Sequence, residues 1–148
     1  MRGDGRPRRS PIVPSAVPRR RRQARRGFSM DHSEDVLDMN VIAALRELGG
    51  DGDETLFHEL LDLYVDDSTK QLQRLAESLE QGDLRVAERI AHTLKSSSAH
   101  LGASAVSKLC LEMEQHGREQ RAMEMRALLD VAREAHRRAV AALVALRQ

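Results

Sequence analysis

Between residues 53 and 146, apolar side chains recur at three- and four-residue steps, and each run ends at a helix-stopping signal. Leu56, Phe57, Leu60, Leu61, Tyr64, Leu72, Leu75 and Leu79 mark one long helix, opened by Asp53. Within it, Asp66-Asp67-Ser68-Thr69 is a polar stretch where a bend is expected. Gly82-Asp83 closes that helix and caps the next; Gly102 and Ser104 repeat the pattern. Gly117 is expected to end a fourth segment. A last helix runs from about residue 119 to 146, with Met125, Leu128, Leu129, Ala132, Ala135 and Val140 on its apolar side. Upstream, Asp38 can cap a short helix that stops at Gly49-Gly50. Short loops between amphipathic helices make sequential neighbours antiparallel. The expected fold is therefore all-α: an up-down antiparallel four-helix bundle with a short extra N-terminal helix. Composition agrees, since strong helix formers dominate and Phe28, Phe57 and Tyr64 are the only aromatics. No strand candidate and no internal repeat emerge.

Charge divides the chain. Residues 1–27 hold ten Arg and one Asp, whereas residues 28–148 hold 14 basic and 22 acidic residues. All four prolines also lie in the first segment. Such a stretch buries too little apolar surface to offset its ordering entropy, so residues 1–35 are read as a disordered basic tail and residues 36–148 as the bundle. The tail could serve as a nucleic-acid or anionic-membrane arm. A non-essential extension is favoured, because no basic residue between Met30 and Arg46 continues a patch and Met30 is a plausible internal start. Nucleic-acid binding is disfavoured accordingly. No apolar run approaches the ~18–20 residues of a membrane span, and no apolar segment follows the basic N-terminus as in a secretory signal.

Cys110 is alone, so it forms no internal disulfide, and its place on an apolar stripe suits core filling. Met113, Met123 and Met125 are read as core or rim. Of six histidines, none has a Glu three residues before it, the pair that bundle di-metal sites use. No metal site is expected, and histidines other than His92 are read as solvated helix surface. The acidic run Asp62, Asp66 and Asp67 is read as a solvated face.

Residues 83–101 carry the chemistry. On a helical wheel, Val86, Ala87, Ile90, Leu94 and Leu101 form an apolar face directly opposite His92. Arg85, Glu88, Arg89, Lys95, Ser96 and Ala99 surround His92, which is thus expected at the centre of the solvent face. Lys95 lies one turn on and could neutralise a phosphoryl group on the imidazole. Ser96 and Ala99 are small enough for another protein to approach the ring.

The run Ala91-His92-Thr93-Leu94-Lys95-Ser96-Ser97-Ser98-Ala99-His100-Leu101-Gly102-Ala103 resembles the signature of histidine phosphotransfer (HPt) domains of bacterial multistep phosphorelays. Phe57, Leu60-Leu61, Tyr64, Gly82-Asp83, Leu109-Cys110 and Leu111-Glu112 extend the likeness, which covers about residues 36–145. One departure stands out: many members have Gly directly after the Lys, where this chain has Ser96. Slower or more selective transfer is the most this should cause.

The resemblance implies a phosphocarrier that accepts a phosphoryl group on His92 from a receiver-domain aspartate of a hybrid sensor kinase. The group would pass on to a response regulator. It also implies transient contact with those receiver domains, a monomer, a cytoplasmic location and no cofactor of its own, with Mg²⁺ supplied by the receiver. No Gly-rich phosphate loop suggests a nucleotide site. Lys95 would neutralise the phosphate. On the following helix, Glu114 is the candidate to orient the imidazole and Arg118 a candidate second cation; both are read as clear of the apolar stripe Val106, Leu109, Cys110 and Met113. Leu84, Arg85, Glu88, Ser96 and Ala99 would form the docking surface. The alternatives are an adaptor that docks receivers without transfer, and a nucleic-acid binder acting through the Arg-rich tail.

Overall fold

The structure, a computed structural model, describes residues 36–147. The disordered-tail expectation falls on residues outside that range. Among the described residues five helices follow in order: α1 (Met39–Glu47), α2 (Thr55–Glu80), α3 (Leu84–His100), α4 (Ser104–Arg118) and α5 (Ala122–Ala145). No strand occurs among the described residues. Helices α2 to α5 pack each on the next in chain order, and α5 returns against α2, which closes an up-down four-helix bundle.

Turn chemistry places the helix ends. Gly82 (φ 75°) takes the left-handed conformation after α2, and the Asp83 N–H reaches back to the Ser78 carbonyl at 2.9 Å. Asp83 then caps α3 by accepting from the Val86 N–H at 3.3 Å. Gly102 repeats the turn after α3 (φ 78°). A side chain there would also meet the Asp38 carbonyl at 3.1 Å and Ile42 at 3.2 Å. That contact seats α1, because the Asp38 N–H donates to the Gly102 carbonyl at 2.7 Å while the Asp38 carboxylate caps α1.

Three local expectations are corrected. Helix α2 runs unbroken through Asp66–Thr69. Its polar groups are satisfied within the helix: the Thr69 hydroxyl bonds the Val65 carbonyl at 2.7 Å, Lys70 pairs with Asp66, and Ser68 points inward. Helix α4 does not stop at Gly117 but continues to Arg118, and Gln120 (φ 59°) takes the left-handed turn position instead. Finally, His136 is not solvated surface. It is buried in α5, with Nε2 2.7 Å from the Ser68 hydroxyl.

The core combines Phe57, Leu61, Leu75, Leu79, Leu94, Val106, Met113, Met125 and Leu143 from all four bundle helices, with Ile42 from α1. Leu128, Leu129 and Ala135 pack against it from the rim, whereas Met123 is 77% exposed, neither core nor rim. A short polar seam crosses this core. The Tyr64 hydroxyl lies 2.7 Å from that of Ser98, and Ser68 meets His136 one turn further along α2. Burial pushes the Tyr64 phenol up to about 12 and the Cys110 thiol likewise to about 12, so neither ionises near neutrality.

Candidate functional site

Helix α3 buries Ala87, Ile90, Ala91, Leu94 and Ser98. The face opposite these residues must then meet solvent, and His92 sits there with its side chain 58% exposed. Its Nδ1 is not idle. It lies 2.9 Å from Glu114 Oε2 on the neighbouring helix α4. With a carboxylate as partner, Nδ1 carries the proton and donates. In the neutral ring Nε2 then holds the lone pair, and it has no hydrogen-bond partner among the described residues.

Glu114 is the hub of the site. Lys95 Nζ donates to Oε1 at 2.7 Å, and Arg118 Nη2 donates to Oε2 at 3.0 Å. Contrary to the expectation of a residue clear of the apolar stripe, Glu114 is buried, only 5% exposed in the seam between α3 and α4. Burial alone would raise its pKa. The hydrogen bonds from Lys95 and His92, with the charges behind them, outweigh that and hold the carboxyl below its usual value. It is therefore ionised at neutral pH, satisfied by three donors.

Two features of this seam escape sequence reasoning. Gly117 lies where α4 packs closely on α3: a Cβ there would sit 3.1 Å from Glu88 Cβ and 3.2 Å from Met125 Cε. The glycine reads as a helix stop in the sequence but acts here as a spacer. Ser107 adds a second tie, its hydroxyl donating to the Lys95 carbonyl at 3.0 Å. Glu88, expected only as docking surface, also pairs with Arg118 at 3.6 Å.

Around the imidazole, Arg85, Ser96 and Ala99 are exposed and Glu88 half-buried. Leu84 is half-buried and packs partly against the core. His92, Lys95, Glu114 and Arg118 thus converge on one point, with Ser96 and Ala99 leaving low relief around it. No trio of His, Cys, Asp or Glu among the described residues is arranged to hold a metal ion. None of the described helices is long and apolar enough to cross a membrane.

The Hpt domain family model matches residues 59–146. The chain belongs to the Hpt domain family. No curated protein sequence matches it. Among solved structures, this Hpt domain is similar to histidine-containing phosphotransfer protein B from Pseudomonas aeruginosa PAO1, at 28% identity and a TM-score of 0.71, over 76% of this chain and 95% of that one. It is also similar to a histidine-containing phosphotransfer protein from maize, at 26% identity and a TM-score of 0.66, over 78% of this chain and 92% of that one. A Medicago truncatula phosphotransfer protein, 24% identical with a TM-score of 0.68, shares the fold over 78% of this chain and 82% of its own. Hpt domains are phosphocarriers, not enzymes in the ordinary sense, and they work between kinases and response regulators. This one is accordingly a phosphotransfer carrier of a phosphorelay.

Proposed function

We propose that His92 is the phospho-acceptor, taking a phosphoryl group from the receiver-domain aspartate of a hybrid sensor kinase and handing it to a response regulator. One observation carries this reading: an exposed imidazole whose Nδ1 is tied to a buried carboxylate, so that Nε2 presents a lone pair outward. Neutral imidazole is a competent nucleophile near pH 7, and a fixed tautomer selects which nitrogen attacks. In the transfer, Nε2 forms a bond to phosphorus as the aspartyl oxygen–phosphorus bond breaks. The electron pair of that bond stays with the departing carboxylate.

Lys95 and Arg118 are within reach of the phosphoryl oxygens by rotation of flexible side chains, and Glu114 orients the ring. Leu84, Arg85, Glu88, Ser96 and Ala99 form the surface on which a receiver docks. Contact is transient, with a small interface near ~1,200 Å² in total. The carrier is cytoplasmic and monomeric, binds no nucleotide, and relies on Mg²⁺ held by the receiver.

The test is a transfer assay with wild type and His92→Gln, each mixed with a panel of labelled phospho-receivers. Acid-labile, alkali-stable label on wild type alone is the expected result. Equal uptake by His92→Gln sinks the assignment. Binding of a receiver by wild type with no uptake points instead to a docking adaptor.

A further inference from the structure

A neutral amide at position 114 could also accept a hydrogen bond from Nδ1 and so orient the ring. The orienting role alone therefore leaves the charge of Glu114 unexplained. That charge is substantial: the group is buried, ionised and gathered among three donors, His92 Nδ1 at 2.9 Å, Lys95 Nζ at 2.7 Å and Arg118 Nη2 at 3.0 Å. Two of the three are cations on flexible stems, and Arg118 is 58% exposed. A phosphoryl group on Nε2 would bring a second concentration of negative charge within their range. Each cation that turns toward it leaves the ring as the remaining partner of Glu114.

The reactive form of the unmodified ring is the neutral tautomer with its proton on Nδ1. Attack uses the Nε2 lone pair to form the nitrogen–phosphorus bond, so the ring becomes cationic for as long as Nδ1 keeps its proton. On departure the bonding pair returns to Nε2, and the phosphoryl group goes to an acceptor aspartate oxygen or to water. If Nδ1 has kept its proton, a neutral imidazole leaves. If it has not, the leaving group is an imidazolate anion, which departs far more slowly.

We infer, resting on the assignment of His92 as acceptor, that the negative charge of Glu114 holds the Nδ1 proton on the phosphorylated ring and keeps its phosphoryl group transferable to higher pH than a neutral partner would. The surrounding charges are Glu88 and Lys95 on α3 and Glu114 and Arg118 on α4, with the exposed Arg85 and Arg89 on the same face of α3 as His92. The cations oppose retention of the proton. Of the two carboxylates, Glu88 is engaged through Arg118, and Glu114 is the one in direct contact with the ring. Glu114 is a positioning residue in this scheme, acting on the phosphoryl group through the imidazole.

The experiment loads the full-length chain with phosphoramidate, a small phosphoryl donor, and follows loss of the group to water by phosphorus NMR across pH 6–9. Wild type, Glu114→Gln and Glu114→Asp are compared, with circular dichroism as the fold check and His92→Gln as the site control. Exchanging a charged acceptor for a neutral one should move the Glu114→Gln profile about one pH unit lower, about tenfold slower loss at its alkaline end. Glu114→Asp should stay with wild type. Superimposed profiles, or slowing of Glu114→Gln by one factor at every pH, overturn the inference. So does a folded Glu114→Gln that takes no label, since the charge would then serve attack and not departure. If Glu114→Gln does not fold, wild type is set against a phosphohistidine peptide of residues 88–97, which lacks Glu114; coincident profiles overturn the inference and a higher-lying wild-type profile supports it. Absence of label on His92 in wild type is a separate failure, that of the acceptor assignment itself.

Discussion

Lys95 and Arg118 approach the same carboxylate, at 2.7 Å and 3.0 Å, yet they are not equivalent. The Lys95 side chain is 27% exposed and that of Arg118 58%. An ion pair that water reaches contributes little, whereas removing the better-buried partner of a buried charge is costly. Lys95→Ala should therefore destabilise the fold by about 1–2 kcal/mol, and Arg118→Ala by under about 0.5 kcal/mol; urea titration separates the two. His92→Gln, at an exposed position, should stay within about 0.5 kcal/mol of wild type. At this scale the sequence is most legible where one helix decides the outcome. The exposure of His92 follows from the apolar face of its own helix. The burial of Glu114 does not, because it depends on how closely α4 lies against α3, a property of two helices together.

Gly117 sets that closeness. Helix propensity favours Ala over Gly by about 1 kcal/mol, but a methyl group here would press on Glu88 Cβ and Cα and on Met125 Cε. Glu88 Cβ is anchored to backbone and cannot swing aside, and overpacking of this kind costs about 1–3 kcal/mol. The clash should win: Gly117→Ala lowers stability by about 1 kcal/mol in urea titration. It should also slow phosphoryl uptake, because α4 carries Glu114. Helix order and the Gly82 and Gly102 turns were readable from residue type, since both glycines take the left-handed conformation that the signal implies. Gly117 misleads because the same residue serves two purposes, a left-handed turn or a close approach, and sequence alone does not tell them apart. The unbroken α2 hides for a related reason. Ser68 looks like a turn residue until His136 is known to face it.

That Ser68–His136 contact makes the whole bundle sensitive to acid. Burial lowers the pKa of His136 from its ordinary 6.5. Below 6.5 the unfolded chain takes up a proton that the folded chain resists, so stability declines as pH falls, until the buried ring is protonated too. Glu114 adds a second decline at lower pH: its stabilisation is present above the ordinary 4.5 and is lost as pH drops through its lowered folded value. The urea midpoint should thus drop between pH 7.5 and 5.5, and His136→Gln, which can still bond Ser68, should flatten that drop. An unchanged slope in the variant would remove His136 from the account. The short helix α1 closes one end of the bundle. Asp38 is fastened to Gly102 where α1 begins, and near its far end Arg46 donates to the Leu146 carbonyl at 2.7 Å and lies over the Phe57 ring. Entry to and exit from the folded unit are thereby gathered at one pole, while His92 stands partway along the flank. A domain with both ends at one pole can be spliced into a larger polypeptide, tethered to a surface or fused to a fluorophore without shading the imidazole. Such portability would let one carrier serve equally as a free-standing messenger or as a cassette within a longer signalling chain.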